Sequence, residues 1–145
     1  MSTRLKEKEE KILEILAALV EESSKGTPIV VEGKKDVAAL RSLGVEGNVV
    51  TAKTGGKSFP EVISEIEQAR ATEVVLLLDF DRRGVEGTKL LKRSLERAQV
   101  APNVTFWHGL LALVGKEVHC VEGLPAYLET LRAKLSASTR QKSLR

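Results

Sequence analysis

The sequence predicts an α/β fold: a Rossmann-like, mostly parallel four-stranded sheet flanked by helices, with a helix before it and a helical extension after it. Three observations carry this expectation. Short apolar runs at Ile29–Val31, Asn48–Thr51, Val74–Leu78 and around Val104–Trp107 alternate with stretches of helical period. Strands separated by helices pair in parallel through right-handed crossovers. The run Val74-Val75-Leu76-Leu77-Leu78 has no polar alternation, which marks a strand buried on both faces.

In chain order, residues 4–22 read as a helix, because Ile12, Leu13, Leu16, Leu19 and Val20 fall at helical spacing among charged residues. It is expected to cap the sheet, the alternative being to pair with a second copy as a homodimer. Pro28 opens the first strand, which finishes on Glu32 and Gly33. Lys34–Leu43 form the next helix, with Val37, Ala38 and Leu40 turned inward and Gly44 as its stop. After the second strand comes a loop through Lys53 and Lys57. Ser58 and Glu61 then read as a capping box, with Pro60 tolerated in the first turn. That helix runs to about Arg70. The acid-tipped strand follows, then a basic helix over 85–98, the fourth strand, a short helix at Leu110–Val114 and a longer one at Leu124–Leu135. The expected organisation is one domain: core 28–107, N-terminal helix 4–22, C-terminal extension 108–135 and a mobile basic tail 136–145.

Composition narrows the class. The aromatic fraction is only 3%, so the core must be aliphatic. A net charge of +3 permits a polyanionic partner without requiring one. The lone Cys120 is read as excluding an internal disulfide and any cysteine-based zinc site, and it suits a reducing cytosol. With no signal core and no membrane-length apolar run, the expected location is cytoplasmic. Abundant charge with few amides also hints at a thermophilic source.

The chemistry gathers at strand ends. The third strand stops on Asp79-Phe80-Asp81-Arg82-Arg83-Gly84, and alternation puts Asp79 and Asp81 on one side if the extended geometry persists. Two hard oxygen donors suit a hydrated Mg²⁺, with Mn²⁺ as a substitute. In a parallel sheet every carboxyl end lies on one edge, so Glu32 joins them if the first and third strands are neighbours. Asp36 adds an acid near the start of the following helix, where a plain first-turn helix acid is the competing reading. Gly33 permits close backbone approach to a ligand, beside a helix N-terminus that offers amide hydrogens.

Glu32-Gly33 followed by Asp36, with the Asp79–Gly84 motif at the end of the third strand, resembles the Toprim domain over about residues 28–107. Val31–Val37 is similar to the primase and ribosomal-RNA-maturation ribonuclease branch, and the small stand-alone archaeal Toprim proteins are the nearest comparison. The resemblance implies Glu32 as general acid/base, Asp79 and Asp81 as catalytic Mg²⁺ ligands with Glu32, Asp36 as auxiliary acid, and nucleic acid, RNA or DNA, as substrate. In-line displacement at a phosphodiester needs such a set: a cation to neutralise charge and a group that moves a proton. A glutamate crowded by two aspartates is expected to have its pKa raised toward neutrality. The expected function is a small Mg²⁺-dependent endonuclease; the alternative is a nucleic-acid- or partner-binding module with little turnover. Arg83 stands where topoisomerases carry a third acid, the only tyrosine, Tyr127, lies outside the match, and one cysteine cannot build a primase zinc module.

Lys34, Lys35, Lys53, Lys57, Arg82 and Arg83 are candidate phosphate contacts, and Gly84, like Gly33, is a candidate for backbone approach. Thr51–Ser58 is similar to a phosphate-binding Walker A loop, but its leading glycine is replaced by Thr51, and a capped helix start is the preferred reading. His108 and His119 read as structural, and Trp107 as packing rather than base stacking.

Overall fold

The computed structural model describes residues 2–53 and 58–143. Its element order is α1 (Ser2–Ser24), β1 (Ile29–Val31), α2 (Lys34–Ser42), β2 (Val49–Thr51), α3 (Phe59–Gln68), β3 (Glu73–Leu76), α4 (Arg82–Arg97), β4 (Ala101–Asn103), α5 (Thr105–Val114), a 3₁₀ turn (Val121–Gly123) and α6 (Leu124–Ser143). The four strands form one parallel sheet in the order β2-β1-β3-β4. The expected α/β architecture is therefore present, with the N-terminal and C-terminal helices on either side of it in the chain.

Side-chain alternation splits the core by parity. Ile29, Val31, Val75 and Leu77 face one layer with Leu40 of α2, Ile12, Leu16 and Leu19 of α1, Trp107 and Leu110 of α5, and Leu128 of α6. Val30, Val74, Leu76 and Leu78 face the other, with Val62 and Ile66 of α3 and Leu91 and Leu95 of α4. Both faces of β1 and β3 are covered, so these strands can be apolar throughout. The apolar stripe of α1 is buried against α5 and α6. Gly44 stops α2 with φ +100°, a conformation a side chain would strain.

Four local expectations need correction, the first in α2, where Ala39 and not Ala38 is buried. The fourth strand is Ala101–Asn103, not Val104–Trp107. Pro102 is tolerated there because β4 lies at the sheet edge. Trp107 belongs instead to α5, buried, its Nε1 donating to Leu78 O at 2.9 Å. The last helix, expected to end at Leu135, continues as α6 to Ser143. At α3, Ser58 holds the N-cap position, but its hydroxyl donates to Glu61 Oε1 at 3.3 Å instead of accepting from the helix amide.

Candidate metal centre at the carboxyl edge of the sheet

β1 and β3 are hydrogen-bonded neighbours, with Leu77 N–H donating to Val30 O at 2.8 Å. Glu32, one residue past β1, and Asp79, three past β3, therefore emerge together. They do so where the chain's connections diverge, β1 leading by α2 to β2 on one side and lying against β3 on the other. Such a switch point leaves a crevice between the strand ends. Here it is an open cleft of about 310 Å³, with Glu32, Asp36 and Asp79 as acidic wall and Lys34, Lys35 and Lys53 as basic rim.

Glu32 is only 8% exposed. Lys53 is carried to it by the backbone, since Lys53 N–H donates to Glu32 O at 3.0 Å and extends the β1–β2 pairing. Its Nζ then sits 3.1 Å from Glu32 Oε2. The contact is a charge contact off the hydrogen-bonding direction, so Oε2 is buried with no hydrogen-bond donor among the described residues. A carboxylate oxygen in that state is costly unless something else satisfies it.

Asp79 is the carboxyl that the crowding moves toward neutrality. Burial is the first cause, followed by the charges of Glu32, Asp36 and Asp81, with Lys53 opposing; together they push it from 3.8 up to about 7.

Asp36 is buried, and each of its carboxylate oxygens accepts one backbone hydrogen bond. Its Oδ2 accepts from Gly33 N–H at 3.1 Å, the reciprocal half of a capping box whose other half a glycine cannot supply. Its Oδ1 accepts from Glu122 N–H at 2.9 Å, tying the 3₁₀ turn to the start of α2. Asp36 is thus a clamp as well as an acid of the mouth.

Asp81 stands slightly apart. It caps α4, accepting from Gly84 N–H at 2.8 Å through Oδ1, and is exposed. Its charge still reaches Asp79. Arg82 and Arg83 lie exposed on the first turn of α4, and Lys34 and Lys35 on that of α2. Lys57 lies outside the described residues. The two glycines differ. A Cβ on Gly33 would meet open space in the cleft, whereas one on Gly84 would collide with the backbone of Asp79. Gly84 therefore serves the approach of α4 to its own chain, and Gly33 leaves room at the site.

Sequence reasoning missed the contribution of the segment after α5. Phe80 N–H donates to His119 O at 2.7 Å, and the Glu122–Asp36 bond anchors the same segment two residues beyond Cys120. Cys120 Sγ is thereby brought into a cluster with carboxylate oxygens of Asp36 and Asp79, all within 4.8 Å of one another. Burial and then the Asp36 carboxylate push the Cys120 thiol up, with the Gly123 N–H opposing. A lone cysteine far along the chain carried no signal of this placement.

The residues fit a divalent cation. A buried oxygen of Glu32 lacks a donor, several carboxylates crowd Asp79, and the space beside Gly33 is open. Among the described residues no helix is long and apolar enough to cross a membrane.

The comparisons agree with this geometry. The Toprim domain profile matches residues 26–106. A UPF0292 protein of Methanosarcina acetivorans is 34% identical over 91% of this chain and 90% of its own length. One from Methanosarcina barkeri is 36% identical over 86% and 85% of the two chains. Another, from Methanocaldococcus jannaschii, is 34% identical over 82% and 91%. A solved structure of a protein from Aquifex aeolicus superimposes with a TM-score of 0.65 at 27% identity, over 75% of this chain and 94% of that one. The fold, the acidic mouth and these likenesses converge: the chain belongs to the Toprim domain family and groups with the UPF0292 proteins.

Proposed function

We propose that this protein is an Mg²⁺-dependent endonuclease that cleaves phosphodiester bonds in RNA or DNA. The observation that carries the reading is Glu32: a buried carboxylate oxygen without a hydrogen-bond donor among the described residues, beside Asp79 and on a cleft with a basic rim. Glu32, Asp79 and Asp81 would hold the ion, Asp81 through the carboxylate oxygen not used to cap α4. A bound divalent cation supplies neutralisation of the charge that develops on phosphate oxygens.

The chain's own groups do the rest. Glu32 Oε2 is the oxygen placed to take a proton from an attacking water or return one to a leaving oxygen. Lys53, held 3.1 Å from it, offsets the carboxylate's charge until substrate enters and then offers its ammonium to a phosphate. Lys34 and Lys35, with the amides of the α2 N-terminus, position a second phosphate on one side of the cleft, and Arg82 and Arg83 do so on the other. The site is too open to exclude water, which suits hydrolysis.

The test is cleavage of labelled RNA and DNA, with Mg²⁺ and with chelator, by wild type and Glu32→Gln. Metal-dependent cleavage lost in the variant supports the reading. Activity that survives Glu32→Gln refutes the role of Glu32. Binding without cleavage by wild type replaces the enzyme with a binding module.

A further inference from the structure

The Asp36–Asp79–Cys120 cluster is not the arrangement that the acidic motifs imply, because it draws its third donor from the segment after α5 and that donor is sulfur. We propose that these three residues form a binding site for a borderline-soft divalent cation of the Zn²⁺ and Co²⁺ class, sharing Asp79 with the hard-cation centre proposed above.

The dimensions suit it. Metal–sulfur and metal–oxygen bonds in such sites are about 2.3 and 2.0–2.2 Å, so two donors on one tetrahedral ion stand about 3.3–3.7 Å apart, and side-chain rotation of about 1 Å closes the shell. The three donor atoms lie within 4.8 Å of one another before any side chain has adjusted. The sulfur is held there on both sides, by the Phe80–His119 and Glu122–Asp36 hydrogen bonds. Each anchor joins it to one of the acid-bearing segments, so the three donors are arranged before an ion arrives. A second feature points to a cation at this place: the buried Glu32 lines the same cleft as Asp36 and Asp79, its Oε2 lacking a hydrogen-bond donor among the described residues and met only by the Lys53 charge contact.

Donor chemistry sets the preference. Mg²⁺ takes oxygen and demands an octahedral shell, whereas a thiolate with two carboxylates suits a four-coordinate borderline ion with one position open to water or to Glu32. On coordination the thiol proton leaves to solvent and sulfur bonds the metal. Asp36, already bonded to two amides, keeps a lone pair on each oxygen for the ion.

The experiment titrates the full, reduced, metal-free chain with Co²⁺ and reads near-ultraviolet sulfur-to-cobalt charge-transfer absorption, with Zn²⁺ as displacing ion. The expected result is a saturable band that Zn²⁺ abolishes, that is missing in Cys120→Ser, and whose half-saturation rises by at least about tenfold in Asp79→Asn. No band in wild type overturns the proposal. A band of unchanged affinity in Asp79→Asn also overturns it, since the thiol would then bind cobalt without the acids. Asp79→Asn is preferred to Asp36→Asn because Asp36 also secures the 3₁₀ turn, and circular dichroism confirms that each variant is folded. The readout needs neither nucleic acid nor turnover, so this site and the phosphodiester reaction fail or stand separately.

Discussion

Gly84→Ala offers a sharp check on how α4 and Asp79 are placed. Gly84 lies in the first turn of α4, where an alanine would ordinarily stabilise a helix by up to about 1 kcal/mol. Here the added Cβ would overlap the carbonyl of Asp79 and stand 2.8 Å from its Cα. Those are backbone atoms next to the buried end of β3, and they cannot swing aside as a side-chain tip would. Overpacking of this kind costs about 1–3 kcal/mol, and contact with backbone puts it at the upper end. The clash therefore outweighs the propensity gain by about 2 kcal/mol, which lowers Tm by roughly 4–8 °C for a chain of this size. Thermal denaturation followed by circular dichroism measures it. Gly33→Ser is the matched control: its backbone is extended, its Cβ has open space, and serine is a preferred N-cap residue. That variant should melt at or slightly above wild type while binding divalent cation more weakly, because the new side chain occupies the cleft. A Gly84→Ala protein as stable as wild type would mean that α4 does not press on Asp79 as described.

Three further outcomes follow from the same geometry. Asp36→Asn removes a carboxylate that accepts from two backbone amides, and an amide oxygen replaces only part of that, so stability in urea should fall by about 1–3 kcal/mol, with faster hydrogen exchange at Glu122. An unchanged midpoint would reduce Asp36 to a surface-like helix acid. Because the folded value of Asp79 is raised from 3.8 to about 7, the folded state holds the proton more tightly than the unfolded one. Its contribution is present below about pH 4 and is lost as pH rises to about 7. The metal-free protein should thus lose stability across that window, and Asp79→Asn should flatten the profile; identical wild-type and variant profiles would refute the assignment. Finally, Lys53→Ala should lower nucleic-acid affinity about equally for all sequences and reduce the magnitude of the log affinity–log salt slope by about 0.7–0.9, as loss of one phosphate contact requires. An unchanged slope would keep Lys53 as a partner of Glu32 alone.

Much of the fold was legible because it is written locally. The parity of Ile29–Val31 and Val74–Leu78, apolar on both faces, requires a covered parallel sheet, and the helical periods between them require crossovers. Where local pattern and tertiary need diverge, the reading slipped. β4 is an edge strand of Ala101, Pro102 and Asn103, with too little apolar surface to announce itself, while the more hydrophobic Val104–Trp107 drew the strand assignment. Trp107 is spent on α5, where its indole reaches Leu78 O across 29 positions. The last part of α6 has no apolar stripe to announce it.

The amino-acid order by itself determined that Glu32 and Asp79 would stand at the ends of buried strands, since acids cannot continue an apolar strand into the core. It also put Lys34, Lys35, Arg82 and Arg83 at the starts of the helices that follow those strands. Tertiary structure alone decided that β1 and β3 lie side by side and that Asp36 grips an amide 86 positions away. It also decided that Asp81 turns to cap α4 and that Cys120 arrives beside the acids. The physical reason is range: periodicity and capping act over a few residues, whereas a site at a sheet edge is assembled by packing of segments that carry no mark of one another in the chain.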